Sequence, residues 1–144
     1  MQTIDSLSEE IQTKIASYGE DFKDLFEAIE KVVFKSDFNL FSQVVKELED
    51  INMQNKYGWT LLHITIRRGE TAMVKLLLEK GEDVDKVDGV GWTPLMEAIM
   101  DDKPELVKLL VDHGADKTIA NKRGATAPML AQKFGRSSMY EYLA

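Results

Sequence analysis

The sequence contains no cysteine. That removes disulfide frameworks, thiolate zinc sites, iron–sulfur clusters and cysteine nucleophiles together, and it fits a reducing compartment. Histidine is scarce, with two residues in 144. No window approaches the roughly 18 consecutive apolar residues that a membrane-spanning helix needs. Neither GxGxxG nor GxxxxGKS/T occurs, so no loop is built to cradle a phosphate. Excess positive charge is also missing: 25 Asp and Glu against 18 Lys and Arg leave a net of −7, whereas nucleic-acid binding starts from a basic footprint. Met1–Glu10 holds acidic residues where a secretory signal would need a basic start and an unbroken apolar stretch. The expectation is a cytoplasmic chain with no cofactor, no metal, no nucleic-acid partner and no membrane partner.

What is present is enough apolar material for a core: 44% of the 144 residues are hydrophobic, which fits one compact domain. The charge is unevenly placed. Residues 1–53 hold 12 acidic and 5 basic side chains, a net of −7, and residues 54–144 hold 13 of each, a net of zero.

The second stretch repeats itself. Gly58-Trp59-Thr60 returns as Gly91-Trp92-Thr93 and again as Gly124-Ala125-Thr126, 33 residues apart each time. Met73–Leu78 matches Leu106–Val111 and, more loosely, Met139–Ala144. Gly81-Glu82-Asp83-Val84 matches Gly114-Ala115-Asp116-Lys117. Each residue type has a physical use. Thr60, Thr93 and Thr126 can accept a bond from an orphan N–H at a helix start. Pro94 then stands where its missing donor is harmless. Gly81 and Gly114 suit the left-handed residue after a helix, and Gly58, Gly91 and Gly124 suit positive φ in a turn. Met73, Val74, Leu76, Leu77 and Leu78 form one wide apolar stripe.

These features resemble the ankyrin repeat: Thr93-Pro94-Leu95-Met96-Glu97-Ala98 and Thr60-Leu61-Leu62-His63-Ile64-Thr65 are similar to its T-P-L-H-x-A start, and Leu109–Asp116 to its L-L-L-x-x-G-A-D ending. The resemblance is clear over residues 54–144 and faint over 22–53. It implies an all-α solenoid of helix-turn-helix units with short turn tips, in which no unit buries its apolar face alone. The expected layout is an N-terminal capping helix (1–20), a degenerate repeat (21–53), repeats at 54–86 and 87–119, and a truncated C-terminal capping repeat (120–144). Leu7, Ile11 and Ile15 mark the capping helix, behind a capping-box-like Ser6-Leu7-Ser8-Glu9 and closed by Gly19; the alternative is an amphipathic arm that docks on a partner. In the degenerate repeat the first helix is expected over 22–34 behind an Asp21 N-cap, with Leu25, Phe26, Ile29, Val32 and Val33 facing in. The second carries Phe38, Phe41, Val44, Val45 and Leu48. The last repeat has Ala127-Pro128 where Pro-Leu is expected, and its second helix is placed at Ser137–Ala144.

No catalytic constellation emerges. His63 holds the family's T-P-L-H position, where the ring bonds turn backbone, and His113 precedes a helix-ending glycine, where a cation suits the dipole. The carboxylates at Glu47–Asp50, Glu82–Asp85 and Asp101-Asp102 read as solvated surface, and Asp83, Asp85 and Asp88 lack a calcium-loop pattern. What remains is a surface. In such stacks the partner meets the turn tips and the exposed side of the first helices. Carried over, the tips are Lys56 and Tyr57, then Val87, Gly89 and Val90, then Ala120, Lys122 and Arg123. After the turn glycines come Trp59, Trp92 and Ala125, and on the helices Arg67, Arg68, Met100, Asp101, Lys133 and Phe134. Six of these are basic and one is acidic, so a basic-leaning groove is expected beside an acidic N-terminal face.

The resemblance thus implies a non-catalytic protein-binding module, monomeric when free. Small stand-alone bacterial ankyrin proteins include immunity proteins that neutralise a toxin, and an acidic chain suits a basic toxin domain. The alternative is a scaffold, regulatory subunit or secreted effector that docks through the groove.

Overall fold

The computed structural model of the chain describes residues 2–144. Nine α-helices run along these residues: α1 (Glu9–Ala16), α2 (Leu25–Phe34), α3 (Phe38–Glu47), α4 (Leu61–Arg67), α5 (Thr71–Glu79), α6 (Pro94–Met100), α7 (Pro104–Asp112), α8 (Ala127–Lys133) and α9 (Tyr140–Leu143). Short 3₁₀ turns at Ile4–Ser6 and Ser137–Met139 precede α1 and α9. Among the described residues the only β pairing is an isolated bridge between Gln54 and Thr60. The architecture is the expected all-α solenoid.

Helix starts follow local chemistry. Thr60 accepts from the His63 N–H and Thr93 from the Met96 N–H, each satisfying one of the donors a helix leaves unpaired. Asp24 and Asp37 do the same for α2 and α3. The α2 cap therefore lies three residues after the expected Asp21, because Asp24 is the carboxylate in reach of the Glu27 N–H. Helix ends recur at a fixed register. Ser36, Gly69, Asp102 and Gly135 all have positive φ, and the following N–H reaches back five residues in each case, as in Asp37 to the Val32 carbonyl and Glu70 to that of Thr65. This is the Schellman closure, which satisfies the last carbonyls of α2, α4, α6 and α8.

The helices α2, α4, α6 and α8 lie side by side as one layer, and α3, α5, α7 and α9 back them as a second. Phe41, Ile29, Leu61, Leu62, Met73, Leu77, Leu95, Ile99 and Leu110 are fully buried between the layers. At the N-terminal end α1 packs on α3 and buries Leu7, Ile11 and Ile15, so it is a capping helix. No capping box forms there: the Ser8 N–H donates to Glu47 Oε1 at 2.7 Å, so α3 supplies the acceptor instead. The α1 helix stops at Ala16, ahead of Gly19. At the other end the expected second helix of the last repeat is a 3₁₀ turn followed by one α-turn.

The turns are tied to one another. Asn55, Asp88 and Asn121, 33 residues apart, each accept with Oδ1 from the N–H groups two and four residues on, at 2.9–3.0 Å. Between repeats, the Gly89 N–H donates to the Tyr57 carbonyl at 2.9 Å and the Lys122 N–H to the Val90 carbonyl at 3.2 Å. Gly58 sits at φ +80, and a Cβ there would stand 2.6 Å from the Gly89 backbone nitrogen. Gly124 has nearly the same φ, +79, with open space around it. Gly58→Ala should therefore cost about 2–3 kcal/mol and Gly124→Ala about 1 kcal/mol, conformational strain alone. Urea midpoints of the two variants measure the difference; equal losses would mean that the tips are not closely held.

Candidate binding surface

The exposed side of α2, α4, α6 and α8, with the tips that lead into the last three, forms one continuous face. Tyr57 and Val90 are each 56% exposed at successive tips, and Lys56, Lys122 and Arg123 are exposed beside them. Trp59 and Trp92 are half-buried against the core. Arg67, Arg68, Lys133 and Phe134 project from helix ends, and Met100 and Asp101 are half-buried. Of the expected residues, Trp59, Arg67 and Arg68 line the cleft between α2 and α4, Lys56 and Tyr57 the neighbouring one, and Trp92, Met100, Arg123, Lys133 and Phe134 the one between α6 and α8; Val90, Asp101 and Lys122 line none of these.

The face is not uniformly basic, because α2 also contributes to it. The cleft between α2 and α4 is lined by Glu30, Phe34, Trp59, Ile64, Arg67 and Arg68, and the neighbouring one by Asp24, Glu27 and Glu30 opposite Lys56, Tyr57 and Trp59. Burial, then the charges of Glu27 and Asp24, push the Glu30 carboxyl upward. Both arginines here are already engaged, and Lys23 lines the second cleft as a further cation. The Arg67 guanidinium lies 4.8 Å from the Trp59 ring centroid and its Nε 3.6 Å from Glu97 Oε1. Arg68 stacks on Phe34 at 4.7 Å, and Trp59 packs against Tyr57 with centroids 5.3 Å apart.

Glu97 is pushed up to about 7, by burial first and then by the adjacent Asp101, with Arg67 opposing. Asp101 Oδ2 is shielded from solvent and has no hydrogen-bond partner among the described residues. Asp101 and Glu82 thus depart from the expected solvated carboxylates. Glu82 is only 5% exposed. Its Oε2 accepts from the Leu62 N–H at 3.1 Å, and its Oε1 is unpartnered among the described residues. Burial raises its pKa to about 8. Glu82 stands where the matching repeat has Ala115, itself buried, and that register could have revealed it as an inward-facing position.

His63 is 1% exposed. Its Nδ1 lies 3.2 Å from the Thr60 N–H, which donates to it, and 2.8 Å from Thr60 Oγ1. Its Nε2 lies 2.9 Å from the Trp92 carbonyl, which can only accept, so the proton is on Nε2. The ring joins two repeats and faces no pocket. Burial lowers its pKa. His113 is exposed, with Nδ1 donating to the Leu109 carbonyl at 2.9 Å near the end of α7. Neither histidine meets a serine or a carboxylate in a nucleophile–base arrangement.

Glu27, Glu30, Phe34 and Met129 line these clefts and were missed in sequence. Phe34 shares a register column with Arg67, Met100 and Lys133, and Glu30 with His63, Met96 and Met129. Extending the Arg67 column to α2 recovers Phe34; Glu30 and Met129 share their column with the buried His63 and Met96, so register alone does not reveal them. No helix among the described residues is long and apolar enough to cross a membrane. A family model described as ankyrin repeats, in three copies, matches residues 25–121 and 81–144. No curated protein matches the chain.

Proposed function

This chain belongs to the ankyrin repeat family, and on that footing we propose that it is a non-catalytic module whose concave face docks a partner protein. The observation that carries the reading is the face itself. Tyr57, Trp59, Phe34, Trp92, Met129 and Phe134 line it without a covering element. Aromatic side chains and arginines of this kind dominate binding energy at interfaces. A stacked repeat presents them preformed, so little conformational entropy is lost on docking. Changing Trp59, Arg67 and Trp92 together to Ala should weaken a purified complex at least about 100-fold, read by calorimetry with the partner captured from cells.

A second reading is favoured by the charge of the other end. Glu9, Glu10, Glu20 and Asp24 are exposed within a segment that carries 12 acidic and 5 basic residues. In this reading the chain is an immunity-type protein whose acidic N-terminal face occludes a basic toxin domain, with steering that raises the on-rate. Reversing Glu9, Glu10 and Glu20, with Asp24 left in place because it caps α2 and lines a groove cleft, should then slow association about tenfold or more and flatten its salt dependence. Binding indifferent to both sets of changes would rule out both surfaces.

A further inference from the structure

One register column sets the two halves of the groove apart. The residue after the turn glycine is Trp59, then Trp92, then Ala125. Eight residues further on stand Arg67, Met100 and Lys133. In the first of these repeats the cation lies over its own indole and is paired to Glu97. In the last, Ala125 leaves Lys133 no indole to lie over, and its Nζ stands 5.6 Å from the Phe134 ring centroid instead. The cleft between α6 and α8 has a volume of about 210 Å³, against about 330 Å³ for the α2–α4 cleft beside Trp59. Trp92, Met100, Met129 and Phe134 form its apolar lining, with Arg123 and Lys133 on its edge and no carboxylate among the lining residues. Met129 is 56% and Phe134 43% exposed. The ion pairs of the described residues include neither Arg123 nor Lys133.

We infer that this cleft is the anchoring site of the groove and that it takes an acidic amphipathic segment of the partner. A bulky apolar side chain enters the space that an indole fills two repeats earlier, and a neighbouring Asp or Glu pairs with Arg123 and Lys133. The inference rests on reading the groove as a protein-binding surface and adds which half is used and by what chemistry. Charge complementarity selects the occupant. At the α2–α4 end Asp24, Glu27 and Glu30 stand among Lys23, Lys56, Arg67 and Arg68, so an acidic segment meets three carboxylates there. At the α6–α8 end the two cations are unneutralised and the apolar lining is uncovered. Residues 54–144 carry no net charge, and at physiological salt the acidic N-terminal helices are screened beyond about 8 Å. Methionines at the lining let the cleft adapt to different apolar side chains.

The test pans a random 12-residue peptide library, displayed on phage, against the immobilised full-length chain. The enriched sequences should place Asp or Glu within a few residues of Leu, Phe, Met or Trp. The synthetic form of the most enriched peptide should lose about 30-fold or more in affinity to Ala125→Trp, which plugs the cleft with the residue the two preceding repeats already accommodate. It should lose a similar factor to Arg123→Glu/Lys133→Glu, two exposed changes that leave the core untouched. Failure to enrich any sequence, enrichment of basic or uncharged sequences, or affinities within about threefold of the parent for both variants, would overturn the inference. Peptide binding lost instead in Trp59→Ala/Arg67→Ala would sink this site while leaving the groove as a binding face. Peptide binding indifferent to every groove variant would sink both readings.

Discussion

Raising the pH from 6.5 to 8.5 should lower the unfolding free energy by about 2 kcal/mol, most of it through Glu82. Burial lifts that carboxyl from 4.5 to about 8, so between those values the folded chain holds a proton that the unfolded chain has released. Stability from such a group is complete below pH 4.5 and drains away as the pH climbs through the folded value. Glu97, lifted to about 7, adds to the fall over the lower part of the range. His63 works in the opposite direction on the acid side. Its folded pKa lies below 6.5, so the stability it contributes is present above 6.5 and is lost as the pH drops through the folded value. The clean window for Glu82 is therefore above pH 6.5. Urea unfolding at half-unit intervals measures the slope. Glu82→Gln keeps the shape without the charge and should flatten it, leaving the variant more stable than the parent at pH 8.5. An unchanged slope in that variant would remove Glu82 as the cause.

His63→Ala should cost about 3–5 kcal/mol, up to half the stability of a typical domain. The ring is buried, accepts from the Thr60 N–H and donates to the Trp92 carbonyl of the next repeat. Its removal leaves a void and the buried Thr60 N–H without a partner, worth about 1–3 kcal/mol, while the Trp92 carbonyl keeps only the Asp88 N–H. His113→Ala should cost under about 1 kcal/mol, because that side chain is exposed and makes a single bond at a helix end. Thermal and urea unfolding of the pair give the contrast. If His63→Ala unfolds like the parent while abolishing a reproducible turnover by the purified protein, the ring is catalytic and the non-enzymatic reading fails.

The repeat units were legible because each of their positions is over-determined. Thr60 and Thr93 cap, Pro94 starts, Gly81 and Gly114 stop, and an apolar stripe lies between, all in one register. The degenerate first repeat was legible in its core, with Leu25, Phe26, Ile29, Val32 and Val33 all buried, but not at its start. Two carboxylates, Asp21 and Asp24, were equally able to cap, and only backbone geometry chooses Asp24. Glu82 was misread because a carboxylate in a loop is ordinarily hydrated; the buried matching residue Ala115 outweighs residue type there. The groove residues of α4, α6 and α8 could be placed by register. Its charge could not, because the acidic excess was assigned to an N-terminal face, whereas α2 brings Asp24, Glu27 and Glu30 round to the same clefts as Tyr57 and Trp59.

The bonds between successive tips make the chain count its own residues. The Gln54 side chain reaches the Val87 carbonyl, Asn52 takes the Asp83 N–H, and Asp85 takes the Asp116 N–H. Surface turns ordinarily accept insertions freely. Here one added residue would slide the donors of that tip off their acceptors, whereas a step of 33 renews the bond of Asn52 to Asp83 as that of Asp85 to Asp116. Over evolutionary time such a molecule lengthens in whole steps, and any partner that reads its face meets a ladder whose rungs cannot be respaced.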